Sequence, residues 1–382
     1  MNTHVFVVDS TTFKLHLEYM FAGTGAKDKT SPFLCDADVN CHHSTERNLV
    51  GMIADISRVR PGDRIVFYLQ ATSNNQGMFF GFFKAESFGF FDENDSDNYL
   101  VRELGKGLSF RVRISPDCVY PLGITEHEFL DDLSGKEAPY ELCWSMIYRK
   151  LKGNRGCTMI TQYEYEDLKA KLETKNNGCI LTERCYTYDP SEVKIVPIDD
   201  EHPYLGRMNN LDIKTRLLHK AHRYNAFETH LQAFVMQKFD DAILKDKILS
   251  LDNNSIWVGN EVSCGVGMQR IDTLIMEENG SEIHLRIVEM KDEEPYGYIL
   301  EEQLPWYLKW VSQYIIPNLQ KYGKEIIIHP CILARRTSNQ DMINRIRNEN
   351  LISLNMQNVK VASTEYIGFE ISDTDISFEK IV

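Results

Sequence analysis

The chain predicts a two-domain protein of mixed α/β and α+β class, and three observations carry that expectation. At 382 residues it is too long for one ordinary core, since domains average roughly 150 residues. Its first half reads as short strands and turns with helical insertions, whereas its second half alternates helices with longer strands. Between them, residues 189–210 hold three prolines and a cluster of acids in which periodicity fades. These features place one domain at 1–195, a linker at 196–210 and a second domain at 211–382.

In the first half, residues 5–8 predict a strand. Residues 64–69 predict a second, entered from the turn Arg60-Pro61-Gly62-Asp63. Residues 77–84 and 108–114 supply two more, and apolar residues three or four apart predict helices at 126–133, 138–151 and 163–175. In the second half, residues 225–245 predict a long amphipathic helix with Phe227, Leu231, Phe234, Val235 and Ile243 on its apolar face. Strands at 269–276 and 282–290 flank Asn279-Gly280, a strong hairpin signal. A helix at about 304–321, a strand at 325–333, a helix near 340–348 and short strands complete the chain.

Composition narrows the class of protein. Apolar residues make up 43% and charged residues 26%, which suits a packed globular chain and not a disordered one. No run approaches the roughly 18 apolar residues of a membrane span, so a cytoplasmic protein with no membrane partner is expected. Nine cysteines, odd in number and irregularly spaced, predict free thiols rather than a disulfide framework. Cys35 and Cys41 with His42 and His43 lie five residues apart rather than two to four, which argues against structural zinc. The net charge of −14 is spread over both halves and argues weakly against nucleic acid, although local clusters decide phosphate contact.

One constellation carries chemistry. With Asn279 and Gly280 as the two turn residues, Asp272 faces Ile287 and Arg270 faces Glu289 across the hairpin. Alternation then puts Asp272, Glu289 and Lys291 on the face of Leu274, Met276, Leu285 and Ile287, so that one end of an apolar face is charged. Two carboxylates so spaced suit a hard divalent cation, and a neighbouring lysine can orient or help deprotonate an attacking water or offset charge on a phosphate. The competing reading is a cross-strand salt bridge on a solvated hairpin. It is weakened by the apolar continuation of that face and by Gly265 and Gly267, which would let another backbone approach.

The segment GVGMQRIDTLIMEENGSEIHLRIVEMKD resembles the core of PD-(D/E)XK nucleases, with Asp272 as first acid and Glu289-Met290-Lys291 as the ExK element. The proline of the family name is replaced by Ile271. The RecB-like branch is the most similar. In it an acid on the preceding helix completes the metal site, matched by Glu228 in NAFETHLQAFV, and a Gln-x-x-x-Tyr signature follows, matched by Gln303 and Tyr307 in QLPWY. Over 210–382 the resemblance implies a restriction-endonuclease-like mixed sheet flanked by helices. It also implies magnesium, replaceable by manganese, on Glu228, Asp272 and Glu289. Glu228 has a second reading, because Asn225 three residues earlier completes a helix-capping box. Gln303 and Tyr307 have one too, an ordinary amphipathic turn interrupted by Pro305.

The segment RVRPGDRIVFYLQATSNNQGMFFGFFKAES is similar to PUA-like β-barrels, including EVE domains, many of which read a modified or flipped base. Phe67, Tyr68, Phe79, Phe80, Phe82 and Phe83 would supply either a pocket or, as alternating aromatics usually do, the core. Residues 142–163 contain Arg149, Lys150, Lys152 and Arg155 and no acid at all, a shape suited to phosphate oxygens. Trp144 and Tyr148, four apart, would stack a base or anchor a helix. A second run, Lys214, Arg216, Lys220 and Arg223, leads into the second domain. Together these features predict a magnesium-dependent DNA endonuclease, homodimeric for duplex cleavage, with its target chosen by the N-terminal domain in restriction or host defence. A structure- or mismatch-directed repair nuclease and a non-catalytic RNA-binding platform are the alternatives.

Overall fold

A computed structural model describes residues 1–25, 31–73, 75–92, 99–146, 156–223, 226–252, 256–265 and 269–382. The chain forms two compact units, one of Met1–Gly135 with Ser145–Asp212 and one of Lys136–Trp144 with Ile213–Val382.

The first unit is built on a mixed sheet. β1 (Thr3–Val8), α1 (Ser10–Glu18), β2 (Phe21–Thr24), α2 (His43–Ile56), β3 (Arg64–Leu69), β4 (Met78–Ala85), β5 (Phe90–Phe91), β6 (Phe110–Pro116), β7 (Ile124–Thr125) and β8 (Cys157–Ile160) precede the helix α3 (Gln162–Lys175) and the antiparallel pair β9 (Tyr186–Asp189) and β10 (Lys194–Pro197). The strand order is β2-β6-β4-β3-β1-β8, with β5 on β6 and β7 on β4. β1 and β3 pair in parallel, which requires a crossover, and α1 and α2 lie within it. Neither helix is evident from periodicity. α1 buries Thr12, Phe13, His16 and Leu17, a stripe half polar in composition, and starts from the reciprocal Asp9–Thr12 capping box.

The aromatic candidates Phe67, Tyr68, Phe79, Phe80, Phe82 and Phe83 are all buried, with Phe13 packed between Phe67 and Phe80 at ring separations of 5.3 and 5.1 Å. They are core rather than pocket lining. The stretch expected to link the domains packs on this unit instead. Tyr204 joins the cluster of Phe21 and Phe90, its hydroxyl accepts a 2.9 Å hydrogen bond from Arg111, and Asn209 bridges to Phe91. The helix expected at 126–133 is one turn, Glu126–Phe129, and that expected at 138–151 is replaced by 3₁₀ turns at Pro139–Glu141 and Trp144–Met146, its remainder lying outside the described residues.

The second unit positions the charged constellation. α4 (Lys214–Arg223) and α5 (Glu228–Gln237) lead to β11 (Ile256–Ser263), β12 (Arg270–Asn279) and β13 (Glu282–Met290). Next come α6 (Leu304–Tyr314), α7 (Ile316–Gln320), β14 (Glu325–Arg335), α8 (Gln340–Asn348), β15 (Val359–Val361), β16 (Glu365–Ile371) and β17 (Ile376–Lys380). β11, β12 and β13 form an antiparallel meander, β14 joins β13 in parallel, and β16 and β17 extend the sheet. The helix expected at 225–245 ends at Gln237, where Asp240 and Asp241, poor helix formers, follow, and a π-helical turn takes over at Ile243–Ile248.

The hairpin register corrects the one deduced from Asn279-Gly280. Asn279 pairs with Glu282, so Gly280 and Ser281 make the turn, and Leu274 pairs with Ile287. The shift is two residues, an even number, so every side chain keeps its predicted face. Extending the ladder one residue past its last pair, Thr273 with Val288, brings Asp272 opposite Glu289 rather than diagonal to it.

Candidate active site

Three elements converge at the end of the apolar face formed by Leu274, Leu285 and Ile287. β12 brings Asp272, β13 brings Glu289 and, one residue beyond its end, Lys291, and α5 brings Glu228 at its first residue. Lys291 Nζ donates to Glu289 Oε1 at 2.6 Å, to Glu228 Oε2 at 3.4 Å and to the Met290 carbonyl at 3.1 Å. Asp272 Oδ2 accepts the Met290 backbone N–H at 2.7 Å, and the Asp272 carbonyl accepts from Gln232 Nε2 at 3.0 Å. Glu289, only 1% exposed, accepts the Tyr307 hydroxyl on its other oxygen at 3.0 Å.

Glu228 opens its helix rather than standing in the third helical position that the capping-box reading gave it. It is the first helical residue, Phe227 is the N-cap, and the Phe227 N–H is taken by Asp292 Oδ2 at 2.8 Å. Asn225 lies outside the described residues. Gln303 and Tyr307 are less separated than Pro305 suggested, because a π-helical turn at Ile299–Gln303 runs straight into α6 and the proline sits in its first turn. Only Tyr307 touches the acids; Gln303 Oε1 is buried without a hydrogen-bond partner. Gln232 and Asp292 were not singled out by sequence, since a mid-helix glutamine and one acid of an acidic run carry no local signal.

The electrostatics follow from burial. Desolvation pushes the Asp272 carboxyl well above its ordinary value, Glu289 and Glu228 add repulsion, and Lys291 and the Met290 N–H pull the other way. Glu228 is raised for the same first reason, with Lys291 opposing and Glu289 and Asp292 adding to the shift. Burial works against the Lys291 ammonium, but Glu289, Asp272 and Glu228 outweigh it and hold it above the lysine range. Cys264 nearby is pushed up to about 12 by burial and then by Glu289 and Asp272. Three acids share one ammonium.

Hard carboxylate oxygens with unrelieved negative charge are a donor set that fits a cation such as magnesium. Among the described residues, however, no group of three or more His, Cys, Asp or Glu side chains gathers where a metal ion could be held. Glu289 is held by Lys291 on one oxygen and by Tyr307 on the other, and Glu228 is turned to Lys291. Cys35, Cys41, His42 and His43 form no metal-holding group either, and His42 Nδ1 bonds Ser44 Oγ at 2.9 Å.

Of the nucleic-acid candidates, Tyr148, Arg149, Lys150, Lys152 and Arg155 lie outside the described residues. Trp144 is 1% exposed and meets Trp310 edge-on at 4.9 Å, so it anchors the second unit and offers no face to a base. In α4, Arg223 is exposed at the C-terminal end, but Arg216 and Lys220 are buried and Lys214 pairs with Asp375 at 2.9 Å. That run is largely part of the packing of its own unit. Among the described residues no helix is long and apolar enough to cross a membrane.

No family model matches the chain, and no curated protein does. Among solved structures, a hypothetical protein from Leishmania major is similar with a TM-score of 0.28 at 11% identity, covering 46% of this chain and 96% of that one. Human THYN1, solved in complex with 5-methylcytosine-containing DNA, is similar with a TM-score of 0.25 at 11% identity, covering 45% of this chain and 98% of that one.

Proposed function

We propose that this chain is a DNA endonuclease whose second unit hydrolyses phosphodiester bonds and whose first unit selects the target, a modified base being the leading candidate. The observation that carries the reading is the placement of Lys291 between Glu289 and Glu228, with Asp272 on the same face of the same sheet end. A structural ion pair needs two of these groups, and desolvating a third and fourth costs stability that a merely architectural site would shed. The order of helix acid, strand acid, ExK and helix tyrosine agrees with the nuclease resemblance.

Asp272 and Glu289 would hold magnesium, with Glu228 the third acid in reach of Lys291. When bound, the ion supplies charge stabilisation to a phosphate and an activated water. The protein's own groups do the positioning. The Met290 N–H fixes Asp272, and the Tyr307 hydroxyl fixes Glu289 from the side away from Lys291. Lys291, held as an ammonium, offsets negative charge growing on the phosphate rather than removing a proton. Because one such site cuts one strand, duplex cleavage calls for a homodimer.

The deciding assay incubates the full chain with unmodified, cytosine-modified, mismatched and single-stranded DNA, and with RNA, with magnesium, manganese or a chelator. Metal-dependent cleavage lost in Asp272→Ala and Lys291→Ala supports the reading, and preference among the DNAs separates modification-directed from structure- or mismatch-directed cutting. A non-catalytic platform is the second reading, favoured by the contact of Glu228 with Lys291 in place of a three-acid cluster. Nucleic-acid binding without cleavage under every metal condition would establish it.

A further inference from the structure

The face of the second unit's sheet turned away from Asp272 and Glu289 carries a pair of histidines. Side chains alternate along β13, so His284 and Arg286 point away from the face of Leu285, Ile287 and Glu289. β14 runs parallel to β13 with His329 beside Arg286, which brings His329 onto the face of His284. The two imidazoles stack with centroids 5.2 Å apart and planes 20° from parallel, and His284 Nδ1 stands 2.9 Å from His329 Nε2. On its far side His284 Nε2 meets Glu282 Oε2 at 3.1 Å.

Proton bookkeeping at these rings leaves lone pairs facing each other. A carboxylate oxygen only accepts, so Nε2 of His284 carries the hydrogen and Nδ1 presents its lone pair to His329. Burial, then Arg286 and His284, push His329 down to about 3, so that ring is neutral and has one lone pair to give as well. Arg286 is itself engaged by Glu365, which also pairs with Lys380 at 2.9 Å. A histidine whose outer nitrogen rests on a carboxylate while its inner nitrogen faces a second imidazole has the arrangement of a ligating histidine. Two nitrogens on one tetrahedral zinc ion stand about 3.3 Å apart, so the observed 2.9 Å has to open by only about 0.4 Å. His284 keeps 24% of its side chain exposed and His329 is half-buried, which leaves water access to the remaining positions.

We propose that His284 and His329 bind a zinc-like transition ion on the face of the sheet opposite the Asp272–Glu289–Lys291 site. His284 ligates through Nδ1 and His329 through Nε2, its hydrogen moving to its own Nδ1, and water completes the shell. The ion ties β13 to β14. Imidazole nitrogens suit zinc, copper or nickel, whereas carboxylate oxygens suit magnesium, so the two faces of one sheet would sort metals by donor chemistry. The inference stands independently of the nuclease reading.

The test titrates the full chain with zinc by calorimetry in excess magnesium, which does not compete for imidazole. The parent is expected to bind an ion whose affinity falls at least tenfold in His284→Gln and in His329→Gln. Glu282→Gln, which removes the carboxylate from the outer nitrogen, is expected to weaken it about tenfold. Asp272→Asn, on the other face, is expected to bind zinc at this pair as the parent does. Zinc should also raise the unfolding temperature of the parent and leave that of either histidine variant where it was. His284 is partly exposed and glutamine keeps a hydrogen-bonding end, so His284→Gln decides the matter even if His329→Gln does not fold. A parent that binds no zinc, equal affinity in the parent and His284→Gln, or zinc binding abolished by Asp272→Asn would overturn the proposal and leave the two rings a hydrogen-bonded pair.

Discussion

Lys291 Nζ and Glu289 Oε1, two residues apart in sequence, lie 2.6 Å from each other where β13 runs out, so the strand's own pleat turns both side chains to one face. Glu228 and Asp272 arrive from other elements and find the single ammonium already engaged.

Removing that ammonium leaves buried carboxylates with no counter-charge. Lys291→Ala is expected to cost about 3 kcal/mol in urea unfolding at pH 7, as breaking one partner of a buried pair does. The loss should shrink as pH falls, because Asp272 and Glu228, both raised by burial, then take up protons, and under the proposed function cleavage should fall on the order of 10²-fold. An equal loss at both pH values would mean the lysine contributes packing rather than charge.

The Asp272 carboxyl titrates above its ordinary 3.8 because it is buried beside Glu289 and Glu228. The unfolded chain therefore releases this proton first, and stability is full below about pH 3.8 and is lost as pH rises through the folded-state value. Asp272→Asn keeps an oxygen for the Met290 N–H and carries no charge. With a chelator present it should match the parent near pH 4 and exceed it at pH 7 by about 1 kcal/mol, while losing cleavage. A variant less stable than the parent at pH 7 would contradict this account of the site.

Tyr307→Phe deletes the hydroxyl that donates to Glu289 and leaves the ring in the core. Stability should drop by about 1 kcal/mol. Under the proposed function, in which Glu289 would hold the cation, manganese affinity read by calorimetry should fall about tenfold, since Tyr307 orients that carboxylate. Unchanged metal affinity would reduce Tyr307 to a packing residue.

Trp144→Ala should cost the second unit about 3–5 kcal/mol, since the indole fills space against Trp310. Its effect on DNA affinity, measured under conditions where the variant stays folded, should be less than twofold. A tenfold weakening would return Trp144 to the nucleic-acid interface.

Which parts were legible in sequence follows from the range of the forces involved. Strand β13, strand β3 and helix α8 have the bounds that local pattern predicts, because alternation or a 3.6-residue period is written into consecutive residues. The shared face of Asp272, Glu289 and Lys291 was equally readable, and survived a register error because two residues restore the pleat. Helices α1 and α2 were missed where buried polar residues such as His16, Glu46 and Asp55 interrupt the apolar stripe.

Local order of hydrophobic and charged residues was thus enough to determine two units, a mixed sheet and an acidic end on one of its faces. Only the tertiary structure decided that Glu228 answers Lys291, that Trp144 belongs to a core, and that Arg216 and Lys220 turn inward. Those outcomes depend on groups far apart in the chain competing for the same partner or the same buried space. That competition is settled by distance after folding and leaves no periodic trace in the sequence.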